Sequence, residues 1–496
     1  VVALRLSSDA ADHNYTGIPY FWNDSKSASK LNPIMTQALF SEFSPASKSD
    51  WLDQVSRELR GKDLSQIFNY KIWDSIELEP FYCLEDINPD EADFQKRFHP
   101  ESALPGMPPR IWANLVSVFP GDTNAHVIHS LSNGADGLVL HLYGIEDLNQ
   151  LLKGVLPQYI SIWVKPLGNP VMVMQSFFQW ADSMIDSPDS LSGGLLWTPA
   201  DLVFDQGESF GIALETLQEL VEMAEPYKLF KSFSIKTSRY SESGANPLDA
   251  VVFGLGELIE ILDKSQLDPA TVFTNLLVES SVGGSHFGEI ARLKSVRVLV
   301  AELAGLYGLS FLPEDVVMFC QTSSWSKSIL DAHTNLIRQT YEAMACVLGG
   351  ANLLWVRPLQ EEDATERDRR VARNVSSILK EEAHLDKVID PAAGSFFLEE
   401  LILKIQEEVK SGLRNLESDG GWLFALQSGT LHWRVRSSRE KAQNELLEVK
   451  RTKIGVNKYA ASDALKYNLE FEAFEEKSFQ LNPTREAYLI ELQTLT

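Results

Sequence analysis

Through the middle of the chain, short and nearly unbroken apolar runs alternate with longer stretches whose apolar residues recur at helical spacing. The runs predict strands at 113–118, 137–142, 160–164, 171–174, 233–237, 272–277, 316–321 and 352–356. Between them, helices are predicted over 212–224, 249–262, 287–306 and 335–348. A strand without polar alternation is one covered on both faces, as parallel strands are under crossover helices. Strand–helix units repeated over roughly 300 residues predict an eight-stranded (β/α)8 barrel of the TIM type in preference to an open sheet.

The flanks have another texture. Trp51, Leu52, Val55 and Leu59 recur at helical spacing, Gly61 stands in the place of a C-cap, and short strand-like pieces follow up to Tyr82. The Pro-rich stretch 100–109 predicts a linker. Beyond about residue 411 the chain turns helical and charged, and its acidic, aromatic segment offers Phe471, Phe474 and Phe479 as exposed rings compatible with a subunit contact. The expected organisation is an N-terminal extension over 1–34, an arm and linker over 35–109, the barrel over 110–410 and a helical tail over 411–496. The extension is rich in Ser, Asn and Asp, and Met35 directly after it is the expected native start.

Charge and composition add exclusions. A net charge of -25 argues against nucleic acid, whose phosphates need a basic footprint. A polyanionic ligand would need a local cationic cluster against that field. The run Arg367 to Arg373 is one such cluster, read first as a helix face and second as a place that could meet a phosphate. No stretch reaches the roughly 18 to 20 unbroken apolar residues of a membrane helix. The start lacks the basic-then-apolar order of a signal peptide, so a cytoplasmic protein with no membrane partner is expected. Cys83, Cys320 and Cys346 form no CxxC pair and are expected to be buried free thiols.

Several motif fragments read as structure. Gly254-Leu255-Gly256 follows no strand and sits in a helical pattern, so it is a packing or kink site and not a dinucleotide fingerprint. His126 and His129 share a helix face, but no carboxylate or cysteine set completes a metal site, and no metal is expected. Asp331-Ala332-His333 resembles the D-x-H-x-x-G motif that ligates cobalamin, yet Leu336 occupies the glycine position.

More specific are stretches that follow one another in a fixed order. Glu289-Ile290-Ala291-Arg292-Leu293-Lys294-Ser295-Val296-Arg297 comes first. Phe319-Cys320-Gln321-Thr322-Ser323-Ser324-Trp325-Ser326 then leads through Asp331 into Asn335-Leu336-Ile337-Arg338-Gln339-Thr340-Tyr341-Glu342-Ala343-Met344. Leu348-Gly349-Gly350-Ala351 closes that helix, and Arg370-Val371-Ala372-Arg373-Asn374 leads on to Asp390-Pro391-Ala392-Ala393-Gly394-Ser395-Phe396-Phe397. In this order and spacing the chain resembles the barrel domain of methylmalonyl-CoA mutases over roughly residues 44 to 460.

The resemblance implies an eight-stranded barrel with the pantetheine of the substrate along its axis, lined by small polar side chains. It implies a radical rearrangement of methylmalonyl-CoA to succinyl-CoA with adenosylcobalamin, whose cobalt–carbon bond does the hard step while protein positions and encloses the substrate. Gln321, Thr322 and Ser323, at the C-terminal end of a strand, take family substrate-binding positions.

The pattern also breaks. Catalytic members carry Gly-Tyr-His and then Glu-Ala-Gly-Ala after the fifth strand. With the register fixed by Glu242, Gly244 and Ala245, Ser238 replaces the tyrosine and Arg239 the histidine that hydrogen-bonds the thioester carbonyl. A permanent, larger cation does not substitute for a neutral donor aimed within a fraction of an ångström. The acyl-CoA entrance motif Arg-Gln-Tyr-Ala-Gly-Phe is absent, the comparable place reading Arg110-Ile111-Trp112-Ala113-Asn114-Leu115, and Phe319 replaces a histidine. The stretch after the barrel is expected to be too short for a cobalamin domain. The resemblance therefore implies the small, non-catalytic subunit of a heterodimeric mutase, with no catalytic residue and no cofactor of its own. Adenosylcobalamin is expected on a catalytic large subunit. Two other readings remain: an acyl-CoA-binding barrel that borrows a separately encoded cobalamin domain, and a non-enzymatic acyl-CoA-binding or interaction protein.

Overall fold

A computed structural model describes residues 46–60, 62–86, 107–359, 361–460, 471 and 473–495. The expected start at Met35, the extension 1–34, Gly61 and most of the Pro-rich linker lie outside the described residues. The chain divides into two compact units, one from Val1–Tyr70 with Glu79–Glu85, the other from Lys71–Leu78 with Asp86–Thr496.

The larger unit is a parallel barrel. Its strands are β1 (Ala113–Val118), β2 (Gly137–Leu142), β3 (Ser161–Pro166), β4 (Gly193–Leu195), β5 (Phe230–Lys231 and Phe233–Lys236), β6 (Leu276–Val282), β7 (Met318–Thr322) and β8 (Leu353–Trp355). Every pairing is parallel, running β4-β3-β2-β1-β8-β7-β6. The sheet has nine segments against the eight expected, because β5 is broken at Ser232. Its first piece pairs with β4 and its second with β6, so this one strand joins both ends of the sheet and closes the ring. Each strand is followed by a helix: α1 (Asn124–Ser132), α2 (Leu148–Leu151), α3 (Pro170–Asp182), α4 (Phe210–Ala224), α5 (Pro247–Lys264), α6 (His286–Leu306), α7 (Ala332–Gly349) and α8 (Glu366–Glu381).

Two strand expectations are corrected. Residues 171–174 lie in α3, because Asn169 caps it by accepting from the Met172 amide at 3.1 Å and Pro170 supplies its first turn. Likewise, Asp268 and Pro269 start a helix over Pro269–Asn275, so β6 begins only at Leu276. Unforeseen was β4, whose glycines give no strand signal. A Cβ on Gly194 would come within 2.6 Å of Trp163 Cζ3, so the glycine makes room for that ring. Gly254 is buried inside α5, where a Cβ would lie 3.0 Å from Thr237, as a packing site requires.

The tail packs α9 (Phe396–Ser418), α10 (Gly421–Gln427), α11 (Thr430–Leu447) and α12 (Tyr488–Leu495) after the barrel. Leu401, Ile405, Val409 and Trp422 join the hydrophobic core that lies between strands and helices. The tail aromatics are not the exposed set expected: Phe471 and Phe474 rest half-buried on Tyr488, and Arg439 covers Phe474 at 4.8 Å.

In the smaller unit, Ser47 and Asp50 form a capping box on the helix Lys48–Glu58. Trp51, Val55 and Leu59 share its half-buried face, Leu52 is exposed, and Trp51 meets Phe81 edge-on at 4.5 Å.

Candidate functional site

Side chains alternate along a strand, so each barrel strand sends every second residue inward. Leu115, Val139, Trp163, Leu196, Leu277, Phe319, Leu353 and Trp355 form a hydrophobic cluster separate from the outer core, and they fill the lumen. Trp163 and Phe319 lie 5.7 Å apart and Phe319 and Trp355 6.0 Å, both edge-to-face. The indole N–H groups are satisfied inside the barrel, Trp163 donating to Ser161 Oγ at 2.6 Å and Trp355 to Ser117 Oγ at 2.9 Å.

Above this plug, the next inward positions carry charge. His141, Lys165, Lys236, Glu279, Gln321 and Arg357 stand at the C-terminal strand ends, where barrel sites form. Lys165 Nζ sits 5.3 Å from the centre of the Trp355 ring and the Arg357 guanidinium 5.0 Å. Burial, helped by Arg357 and Lys236, pushes the Lys165 amine down to about 8. Burial and the cations Lys165, Arg357 and Arg369 hold His141 well below its usual range, so its ring is neutral.

Ser238 and Arg239 follow β5 into this layer, but both are spent on protein. Ser238 Oγ donates to Glu279 Oε1 at 2.6 Å. Arg239 donates Nε and Nη2 to Asp201 Oδ1 at 3.1 and 2.6 Å, and Nη1 and Nη2 to the two Asp205 oxygens at 2.8 Å each. A longer bond, from Nη1 to the Leu481 carbonyl at 3.5 Å, occupies the last of its five N–H groups. Burial alone would ease the proton off Arg239, yet Asp201 and Asp205 bind it more firmly than usual. Lys236 adds a 2.8 Å ion pair to the other Asp201 oxygen.

Gln321, Thr322 and Ser323 lie together at the end of β7. Gln321 is two residues beyond Phe319 and so faces the lumen, with its buried Oε1 unpartnered. Thr322 Oγ1 accepts from the Arg357 amide at 2.9 Å, and the Ser323 amide donates to Glu342 at 3.2 Å. Two of the three positions therefore pin loops.

The family-like stretches turn out to be the struts of the barrel. Arg292 holds Glu289 and the Ser281 carbonyl, while Arg297 ties Gly350 and Asn352 to the approach of β7. Lys294 pairs with Asp390. Buried Glu342 binds Lys327 at 2.9 Å and Ser326, and buried Glu242 binds Ser281 and Ser324. Gly350 ends α7 at φ +105°, and a Cβ on Gly349 would meet Leu293 at 2.7 Å. Asp201, Asp205, Lys165 and His141 escaped sequence reasoning; their only signal was a polar residue at the end of an apolar run.

The remaining candidates separate. Asp331 caps α7 by accepting from the Thr334 amide at 3.0 Å, and His333 is exposed. His126 stands 3.5 Å from Asp122. Among the described residues no cluster of three metal-ligating side chains occurs and no helix is long and apolar enough to cross a membrane. Cys320 and Cys346 are buried free thiols, whereas Cys83 is half-buried.

Comparison with known proteins completes the picture. A family model described as methylmalonyl-CoA mutase matches residues 123–488. The methylmalonyl-CoA mutase small subunit of Porphyromonas gingivalis is 25% identical over 452 residues, 85% of this chain and 71% of that protein. The small subunit of Streptomyces virginiae is likewise 25% identical over 85% of this chain and 72% of its own length. Porphyromonas gingivalis also has a large subunit, 28% identical over 46% of this chain and 33% of that one. With its struts in place and a family model spanning most of the barrel and tail, the chain belongs to the methylmalonyl-CoA mutase family.

Proposed function

We propose that this chain is the supporting small subunit of a heterodimeric, adenosylcobalamin-dependent methylmalonyl-CoA mutase, working beside a catalytic large subunit that holds acyl-CoA and cofactor. The observation that carries this reading is the aromatic plug. A pantetheine arm threaded along the axis would have to pass Trp163, Phe319 and Trp355, which occupy the lumen. Arg239, in the place of the thioester donor, has no N–H left to offer.

Cobalamin finds no fitting ligand set at the one motif that resembled it, since the Asp331 carboxylate caps α7 and Leu336 stands where glycine belongs. No reaction step is therefore assigned to this chain. Its contribution is a barrel braced by its own side chains. The reading as an acyl-CoA barrel with a borrowed cobalamin domain needs an open axis and draws no support from this lumen.

The test is co-expression with the large subunit from the same source, followed by size-exclusion chromatography, cobalamin spectra and a turnover assay. A one-to-one complex that carries cobalamin and activity, with an inactive isolated chain, is the expected outcome. Turnover by the isolated chain, saturable adenosylcobalamin binding to it, or failure of the two chains to associate would overturn the reading.

A further inference from the structure

Outside the barrel axis, a cleft of about 180 Å³ opens between β1, α1 and α8 near the C-terminal end of the barrel. Its floor is apolar, built from Val116, Val118, Phe119 and Val127. Its wall is the α8 face that carries Arg369, Arg370 and Arg373.

The three arginines differ in how they are satisfied. Arg369 binds Asp122 at 2.7 Å and lies over the Phe119 ring at 5.4 Å. Arg370 is exposed. Arg373 is only 7% exposed, yet its guanidinium has no hydrogen bond or ion pair among the described residues, and its Nε is buried without a partner. Of the acids on the cleft, Asp122 is held by Arg369 and Glu361 by Arg357, leaving Glu366 to act on Arg373 only through space. Burial and the neighbouring charge of Arg370 both work against the Arg373 cation. Arginine cannot shed its proton to relieve this, so a guanidinium with a buried Nε and no acid bound to it, lining a cavity, suits an anion there.

The floor narrows the choice of anion. An inorganic phosphate gains nothing from valine and phenylalanine walls, whereas an organic acid buries its body there. A dry cavity of about 150 Å³ accepts a benzene ring, so this cleft has room for a body of about six carbons. We propose that the cleft binds a small carboxylic acid, its carboxylate on Arg373 and Arg370 and its apolar body on Val116, Val118, Phe119 and Val127. The site is separate from the plugged axis, and the proposal stands whether or not the chain is a small subunit.

Benzoate is a suitable probe for calorimetric titration of the full chain at low ionic strength, with benzamide and inorganic phosphate as comparisons. Benzoate is expected to bind saturably at one site, about tenfold or more tighter than either comparison, because only it offers both charge and body. R373M should weaken benzoate at least about tenfold while the unliganded chain melts as the parent does, since it removes the cation and keeps a side chain of similar length. R370Q, at an exposed position, should weaken it by about threefold, an effect that fades with salt. No saturable benzoate binding, equal binding of benzamide or phosphate, or an R373M chain with unchanged affinity would each overturn the proposal.

Discussion

At the scale of single residues, the chemistry of this chain turns on what Arg239 and Glu257 are bonded to. Restoring the family residues with S238Y and R239H would remove the cation that Asp201 and Asp205 share and force a ring into a buried position. We expect no turnover, and a loss of about 3 to 5 kcal/mol in chemical denaturation, as when one partner of a buried ion pair is removed. Glu257 is a buried carboxyl on α5. It accepts from Thr198 Oγ1 and from the Ala200 amide at 3.1 Å, yet burial raises its carboxyl to about 7 from an ordinary 4.5. A carboxyl raised in the folded state takes up a proton on folding, so its stabilisation is complete below pH 4.5 and lost as pH rises through about 7. E257Q should match the parent near pH 4 and exceed it at pH 8 by up to about 3 kcal/mol. Thermal melts across pH would show the two curves diverging; parallel curves would refute the assignment.

At the scale of elements, the lumen determines what the barrel can hold. W355A should cost about 3 to 5 kcal/mol, since a large buried ring leaves a cavity that its neighbours only partly fill. The variant is expected to gain no acyl-CoA affinity by calorimetry, because Trp163 and Phe319 still block the axis. Much of this layout was legible in advance: β1, β2, β7 and β8 and the helices α4 to α7 follow from apolar runs and helical spacing. Hidden were the features that depend on contacts between distant strands. Gly193 and Gly194 look like a turn until Trp163 arrives to fill the space, and 171–174 looks like a strand until Asn169 and Pro170 are read as a helix start. In the candidate site, Ser238 and Arg239 stood out from the family pattern, but nothing near them in sequence announced Asp201, which lies more than thirty residues earlier. The continuous apolar runs also concealed which residues face the lumen, since both faces of each strand are covered.

At the scale of the whole molecule, the tail is part of the barrel's support. Trp422, fully buried, donates to the Tyr240 hydroxyl at 3.0 Å, and His432 is 3.1 Å from the Phe479 carbonyl. A chain stopped after Lys410 should be insoluble or molten, and W422A should lose about 3 to 5 kcal/mol while still folding. Near-ultraviolet circular dichroism would separate the two; a soluble, native-like truncation would show that the barrel stands without its tail. The same bond has a consequence for synthesis. Tyr240 lies in the short helix Thr237–Glu242 and is 182 residues from Trp422, so at a ribosomal pace of 5 to 20 residues per second that helix waits about 10 to 40 seconds for its partner to be made. During that interval the nascent barrel presents an unfinished apolar flank, the surface that Trp422 and its neighbours cover in the finished fold.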